Sequence, residues 1–157
     1  MLRLSGTRVV GPGLKVLLRQ NGKGGLRILD VSQSSFGESG FQHLKGFGLL
    51  EELNAQESKV NDQSLLYLKG LTNLKRLHIG LNPISERGLK TILGLKKLEE
   101  LSFGGLPAMN DQVLNLLSSQ KELRSLSVVN TSCTIKGCEA LKKRLPDCRI
   151  ATTDVTF

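Results

Sequence analysis

The sequence predicts an α/β solenoid, a single domain over residues 1–157 with parallel strands on a concave side and helices on a convex side. Three observations carry this prediction. Apolar residues recur at the spacing L-x-x-L-x-L, clearest in Leu74, Leu77 and Ile79, with Asn82 three residues later. The same block returns at Leu26, Leu50, Leu74, Leu98 and Leu123, in steps of 24, 24, 24 and 25 residues. After each block come a polar turn and then apolar residues at helical spacing, so each unit reads as strand, turn and helix.

The first unit is incomplete. Leu2, Leu4, Thr7 and Val9 fill its strand and turn positions, and Gly13, Leu14 and Leu17 match Gly88, Leu89 and Ile92 of the later unit. This partial unit occupies residues 1–25, and its last stretch, Gln20 to Gly25, lengthens the return loop by about three residues, as surface loops tolerate. An incomplete first unit leaves apolar residues without a cap, which implies either the C-terminal part of a longer repeat protein or an end that docks on another molecule.

From Leu26 the register is regular. In the unit at Leu74, alternation along the strand buries Leu77 and Ile79 and leaves Arg76, His78 and Gly80 on the opposite side. Ser85 is the expected N-cap of the helix carrying Leu89, Ile92 and Leu93, with Glu86 in its first turn. Asn61 with Asp62, Asn110 with Asp111, and Thr134 occupy the same place in their own units. Gly104 to Met109 holds the one extra residue, and its glycines and Pro107 predict a bulged turn. The last unit ends at Leu145 and Pro146, and the β-prone tail over 148–157 is expected as an edge strand.

The motifs V-N-D-Q-S-L, I-S-E-R-G-L and the ending A-L-K-K-R-L-P-D-C-R-I resemble short leucine-rich repeats of about 24 residues, the "L-x-x-T-x-V-T-D-x-G-L" type of planctomycete-like bacteria. These are related to the cysteine-containing, F-box-associated repeats of eukaryotes. The resemblance covers residues 2–150 and implies a scaffold for protein–protein interaction. It departs at the ninth position, where the eukaryotic subtype has Cys and this chain has Thr7, Ser34, Ser58, Asn82 and Thr131, so a ubiquitin-ligase adaptor is a weak extension. The ninth-position Asn82 is expected to bond backbone groups in the turn.

Composition fits a soluble domain, 39% apolar and 23% charged, and no apolar run approaches the ~18 residues of a membrane span. With no Trp, one Tyr and five Phe, base-stacking platforms for single strands are disfavoured. Cys133, Cys138 and Cys148 are expected as reduced, mostly core thiols, and His43 and His78 lie too far from them in sequence for a zinc site. Met1 to Leu29 lacks acidic residues and carries six cations, as organelle targeting peptides do, yet the same residues fit the repeat register. The expectation is therefore a cytoplasmic protein needing no cofactor.

Stacking the units aligns equivalent residues into exposed columns. The third position reads Met1, Ile28, Glu52, Arg76, Glu100 and Ser125, and the fifth reads Arg3, Asp30, Asn54, His78, Ser102 and Ser127. This face is mixed in sign, although the chain carries +8 overall. Surplus cations such as Lys45, Lys69, Lys96 and Lys142 are expected on a solvated convex side. His78 beside Ser102 is the nearest approach to a catalytic pair. Asp30 lies two strands from His78, roughly 10 Å at ordinary strand spacing, so it cannot orient the imidazole.

No catalytic and no metal-binding residue is therefore assigned. The expected function is non-enzymatic recognition of a protein through Glu52, Asn54, Gln56, Arg76, His78, Glu100 and Ser102, with Arg76 and His78 as anchors. The alternatives are a fragment without independent activity and, less favoured, nucleic-acid contact through the basic convex side.

Overall fold

The computed structural model describes residues 1–6 and 25–153. The expected roles of Thr7, Val9, Gly13, Leu14 and Leu17, most of the loop after Gln20, and the tail beyond residue 153 lie outside that range.

Among the described residues seven strands form one parallel sheet in chain order: β1 (Leu2–Arg3), β2 (Ile28–Asp30), β3 (Glu52–Asn54), β4 (Arg76–His78), β5 (Glu100–Ser102), β6 (Ser125–Ser127) and β7 (Arg149–Ala151). In each of the three-residue strands β2 to β7 only the middle residue is buried in the core. Leu29, Leu53, Leu77, Leu101, Leu126 and Ile150 stack there, essentially without exposure. Two steps later the next apolar column follows, Val31, Ala55, Ile79, Phe103 and Val128. Burying two columns in every unit against the helices makes the stack one continuous core.

The register reproduces the repeat arithmetic. Strand partners differ by 24 residues from β2 through β5, as in Leu53 opposite Leu77, and by 25 between β5 and β6, as in Leu101 opposite Leu126. Leu2 lies opposite Leu29, 27 residues on, which accommodates the three-residue lengthening of the first return loop. Within the tail, β7 pairs with β6, with Ile150 opposite Leu126.

Helices cover the back of the sheet: α1 (Gly37–Phe41), α2 (Asp62–Leu66), α3 (Glu86–Thr91), α4 (Asp111–Leu116) and α5 (Ile135–Arg144). The first four are shorter than the sequence pattern predicts, and each passes into 3₁₀ winding, as at Tyr67–Gly70. The 3₁₀ form rises ~2.0 Å per residue against ~1.5 Å, so the same few residues reach farther back toward the next strand. Four N-caps stand where the sequence places them. Asn61 Oδ1 accepts from Ser64 N at 2.9 Å, Ser85 Oγ from Arg87 N at 3.2 Å, Asn110 Oδ1 from Val113 N at 3.1 Å and Thr134 Oγ1 from Gly137 N at 3.0 Å.

Between strand and helix, the same position in every unit is left-handed, Gly6, Gln33, Glu57, Leu81, Gly105 and Asn130, with φ from 52° to 72°, and the turn after β3 adds Lys59 at 60°. Each lets the chain leave the strand while its N–H or a neighbouring N–H still bonds the next unit, as Leu81 N does to Gly104 O at 2.9 Å. Only Gly and Asn take this conformation without appreciable cost, so Gln33, Glu57 and Leu81 hold it against their own preference. In the 25-residue unit the turn runs through Gly105, with Leu106 N bonding Phe103 O at 3.1 Å and Met109 N bonding Leu106 O at 3.0 Å. Leu106 is fully buried where the other units carry a polar ninth residue.

A candidate interaction face on strands β3 to β5

All seven residues singled out from the sequence lie on the exposed side of three consecutive strands or just beyond. Glu52, Arg76 and Glu100 are directly opposite one another in register, and Asn54, His78 and Ser102 form the adjacent row. Gln56 follows β3 in the turn and is exposed. Strand alternation produces this display, because the buried Leu53, Leu77 and Leu101 between the two rows force their neighbours outward.

The charges are not independent. Arg76 donates from Nε and Nη2 to a single oxygen of Glu52, Oε2, at 2.9 and 2.7 Å. This bond, with the surrounding Glu52, Glu100 and Glu99 charges, raises the Arg76 pKa further above its already high value. His78 Nε2 lies 3.1 Å from Glu100 Oε1, a diagonal contact between neighbouring strands. The two expected anchors are thus each held by a carboxylate of the same face. Both pairs remain reachable: the side chains of Arg76 and Glu100 are 39% exposed, those of Glu52 and His78 29%.

A second ladder was not read from the sequence. Arg27 pairs with Glu51, and Lys75 lies between Glu51 at 3.7 Å and Glu99 at 3.9 Å, directly before the strands. The Arg27 bond, first among several influences, lowers the Glu51 pKa. Its signal was present in the repeat register, where the second position alternates Arg27, Glu51, Lys75, Glu99 and Arg124. Opposite charges directly across adjacent strands stabilise pairing, whereas like charges there would oppose it.

As a catalytic arrangement the face is poor. His78 is turned to Glu100, Ser102 lies opposite His78 in register, and Asp30 is occupied locally, accepting from Ser32 N at 3.0 Å and Ser32 Oγ at 2.7 Å. No acid–base–nucleophile chain connects them. Among the described residues no group of three or more His, Cys, Asp or Glu side chains is placed to hold a metal ion. None of their helices is long and apolar enough to cross a membrane. Cys138 and Cys148 are buried and Cys133 half-buried, and all three are free thiols. Burial pushes the Cys133 and Cys148 thiols up to about 11, and Cys138 in the same direction.

No family model matches the chain, and no curated protein sequence does. Solved structures do match in fold. An internalin C2 of Listeria monocytogenes superposes with a TM-score of 0.66 at 22% identity, over 84% of this chain and 56% of its own. A second internalin of that organism, inlF, gives 0.63 at 21% identity, over 78% and 33%. A leucine-rich repeat protein of Leptospira interrogans gives 0.56 at 20% identity, over 80% and 37%. This chain therefore spans little more than half the length of the first and about a third of the others. At these identities the similarity establishes the fold, an α/β leucine-rich repeat solenoid.

Proposed function

We propose that the chain is a non-enzymatic scaffold that binds a protein partner through the exposed face of β3 to β5. The observation that carries this reading is the paired array Glu52–Arg76 and Glu100–His78, partly exposed on a backbone whose strands bond neighbours on both sides. Exposed ion pairs contribute little to stability, typically about 0–1 kcal/mol, so stability alone is a weak reason for such an array. Their use for recognition is stronger. Pairing holds the long Arg76 side chain in one orientation before a partner arrives, which removes part of the ordering cost of association. Only Glu52 Oε2 is engaged, so Oε1 and the Arg76 Nη1 have no partner among the described residues. Asn54, Gln56 and Ser102 add neutral donors and acceptors around them, fitting a partner surface of mixed charge.

The test is a charge swap, Glu52→Arg with Arg76→Glu, which keeps an ion pair between β3 and β4 but inverts the pattern presented. Nuclease-treated lysate from the source organism is passed over immobilised wild-type and swapped chains, and hydrogen exchange is measured on the captured complex. A protein retained by the wild type, lost by the swap and protecting β3 to β5 supports the reading. Capture that survives the swap sinks it.

A further inference from the structure

Among the described residues the excess of positive charge is segregated onto one edge of the solenoid, and we propose that this edge binds the phosphodiester backbone of double-stranded nucleic acid without regard to sequence. The edge consists of the five segments that return from helix to strand, 45–51, 69–75, 93–99, 118–124 and 142–149. They hold eleven Lys and Arg residues against four Asp and Glu. The opposite edge, where strands lead into helices (31–39, 55–63, 79–87, 103–112 and 128–136), holds three cations against five carboxylates. The cations that sequence reading places on the convex side thus concentrate on a rim, at the C-terminal ends of the helices.

The rim cations are also unneutralised. Among the described residues, only Lys75 of the eleven forms an ion pair. Lys97 instead donates to Asn73 Oδ1 at 2.8 Å, Arg124 to the carbonyl of Lys121 at 3.0 Å, and Arg144 to Asn115 Oδ1 at 2.8 Å. The sheet face does the reverse, pairing Arg76 and His78 with carboxylates. A row of unpaired cations presents a field that an opposing polyanion neutralises with release of counterions.

The chemistry of the rim selects among anionic partners. Protein interfaces centre on buried aromatic and apolar anchors and are poor in Lys. Membrane binding by an amphipathic surface adds apolar side chains that enter the lipid. Leu49 is the only large apolar side chain exposed on the rim among the described residues. Tyr67, the only described aromatic that is not buried, lies under Lys45 at 5.1 Å and offers no free ring for stacking a base. What remains is contact with phosphate alone. The five segments follow the strand spacing of ~4.8 Å, so they span roughly 20 Å, along which a duplex presents a phosphate every ~1.7 Å.

The experiment measures fluorescence anisotropy of a labelled double-stranded DNA of mixed sequence against the wild-type chain and two triple variants of equal net charge. Lys69→Glu/Lys96→Glu/Lys121→Glu alters the rim; Arg87→Glu/Lys90→Glu/Lys136→Glu alters other exposed positions. Circular dichroism melts establish that both variants fold. The expected result is binding at about 0.15 M salt with log K falling against log salt at a slope of about −3 to −5, an affinity loss of roughly tenfold or more for the rim variant, and less than about twofold for the other. Equal loss in both variants would reduce the effect to overall charge and overturn the proposal. So would the absence of duplex binding at that salt, or preferential binding to poly-glutamate or phosphatidylserine vesicles.

Discussion

The carboxylate of Asp62 occupies the space that a β-carbon on Gly88 would take: a Cβ built there falls 2.2 Å from Asp62 Oδ1. From that position Oδ1 accepts from Ser85 N at 2.8 Å and Oδ2 accepts from Ser85 Oγ, so the first turn of one helix fastens the N-cap of the next. The device recurs between Asp111 and Thr134, at 2.8 and 2.6 Å, with Gly137 leaving the room. This is the physical content of the pattern in which a capping hydroxyl is followed three residues later by glycine.

Gly88→Ala is therefore expected to destabilise the fold, although alanine favours a helix over glycine by about 1 kcal/mol. Its methyl displaces the Asp62 carboxylate and frees both Ser85 donors, for a net loss of about 1–2 kcal/mol. Urea denaturation reads this directly. Asp62→Ala combined with Gly88→Ala is expected to cost little more than Asp62→Ala alone, since the carboxylate clash has gone and only a contact with Ile84 Cγ2 at 3.0 Å remains.

Asn82 binds two units together. Its Nδ2 donates to the carbonyls of Ala55, Ile79 and Gly80 at 2.8, 2.9 and 3.0 Å, while Oδ1 accepts from Ser58 N and Val60 N at 3.0 and 2.9 Å. All of this is buried. Asn82→Ala is expected to cost about 3 kcal/mol, since several backbone groups lose their partners at once. Ser58→Ala removes one bond, from its hydroxyl to the Ala55 carbonyl, and should cost about 1 kcal/mol. If the two variants unfold at the same denaturant concentration, the bridging role of Asn82 is wrong.

Leu81 is left-handed, with φ 55°, and 51% exposed, so it bears a backbone cost without full burial in return. Leu81→Asn is expected to raise stability by about 0.5–1 kcal/mol, because Asn takes this conformation readily. Gly105→Ala should act in the opposite sense, by about 1–2 kcal/mol, since φ is 72° and the added carbon would fall 2.3 Å from Leu81 Cδ2. Paired thermal melts decide both, and a less stable Leu81→Asn would mean that the leucine side chain contributes more than its exposure implies.

What the sequence revealed and what it withheld follow one division. The stacked strands were legible because burial of Leu29, Leu53, Leu77 and Leu101 imposes a period that chance does not produce. The caps at Asn61, Ser85, Asn110 and Thr134 were legible because capping is local chemistry. Alternation puts the seven face residues on one side of the strands or just beyond, but their pairing was not foreseen, since a column identifies neighbours without saying which side chains turn to one another. The Asp62–Ser85 link and the left-handed turn residues were missed for the same reason: both depend on contacts about 24 residues away. The rim required three dimensions, because its cations occupy different positions of the repeat and converge only when helices and strands are laid side by side.

The thiols give a prediction with a pH sign. Burial raises Cys133 and Cys148 from 9.0 to about 11, so the folded chain holds protons that the unfolded chain releases first. Their contribution is present in full below pH 9 and is lost as pH rises through about 11, because the native state binds more protons across that window. Stability measured by urea at pH 8, 10 and 11 is expected to fall more steeply for the wild type than for Cys133→Ala/Cys148→Ala, which isolates the contribution of the two thiols. At pH 8, half-buried Cys133 should react with a disulfide reagent roughly two orders of magnitude more slowly than a free thiol, from its thiolate fraction alone. A native thiol reacting at the free rate would place Cys133 in solvent and contradict its packing against the core.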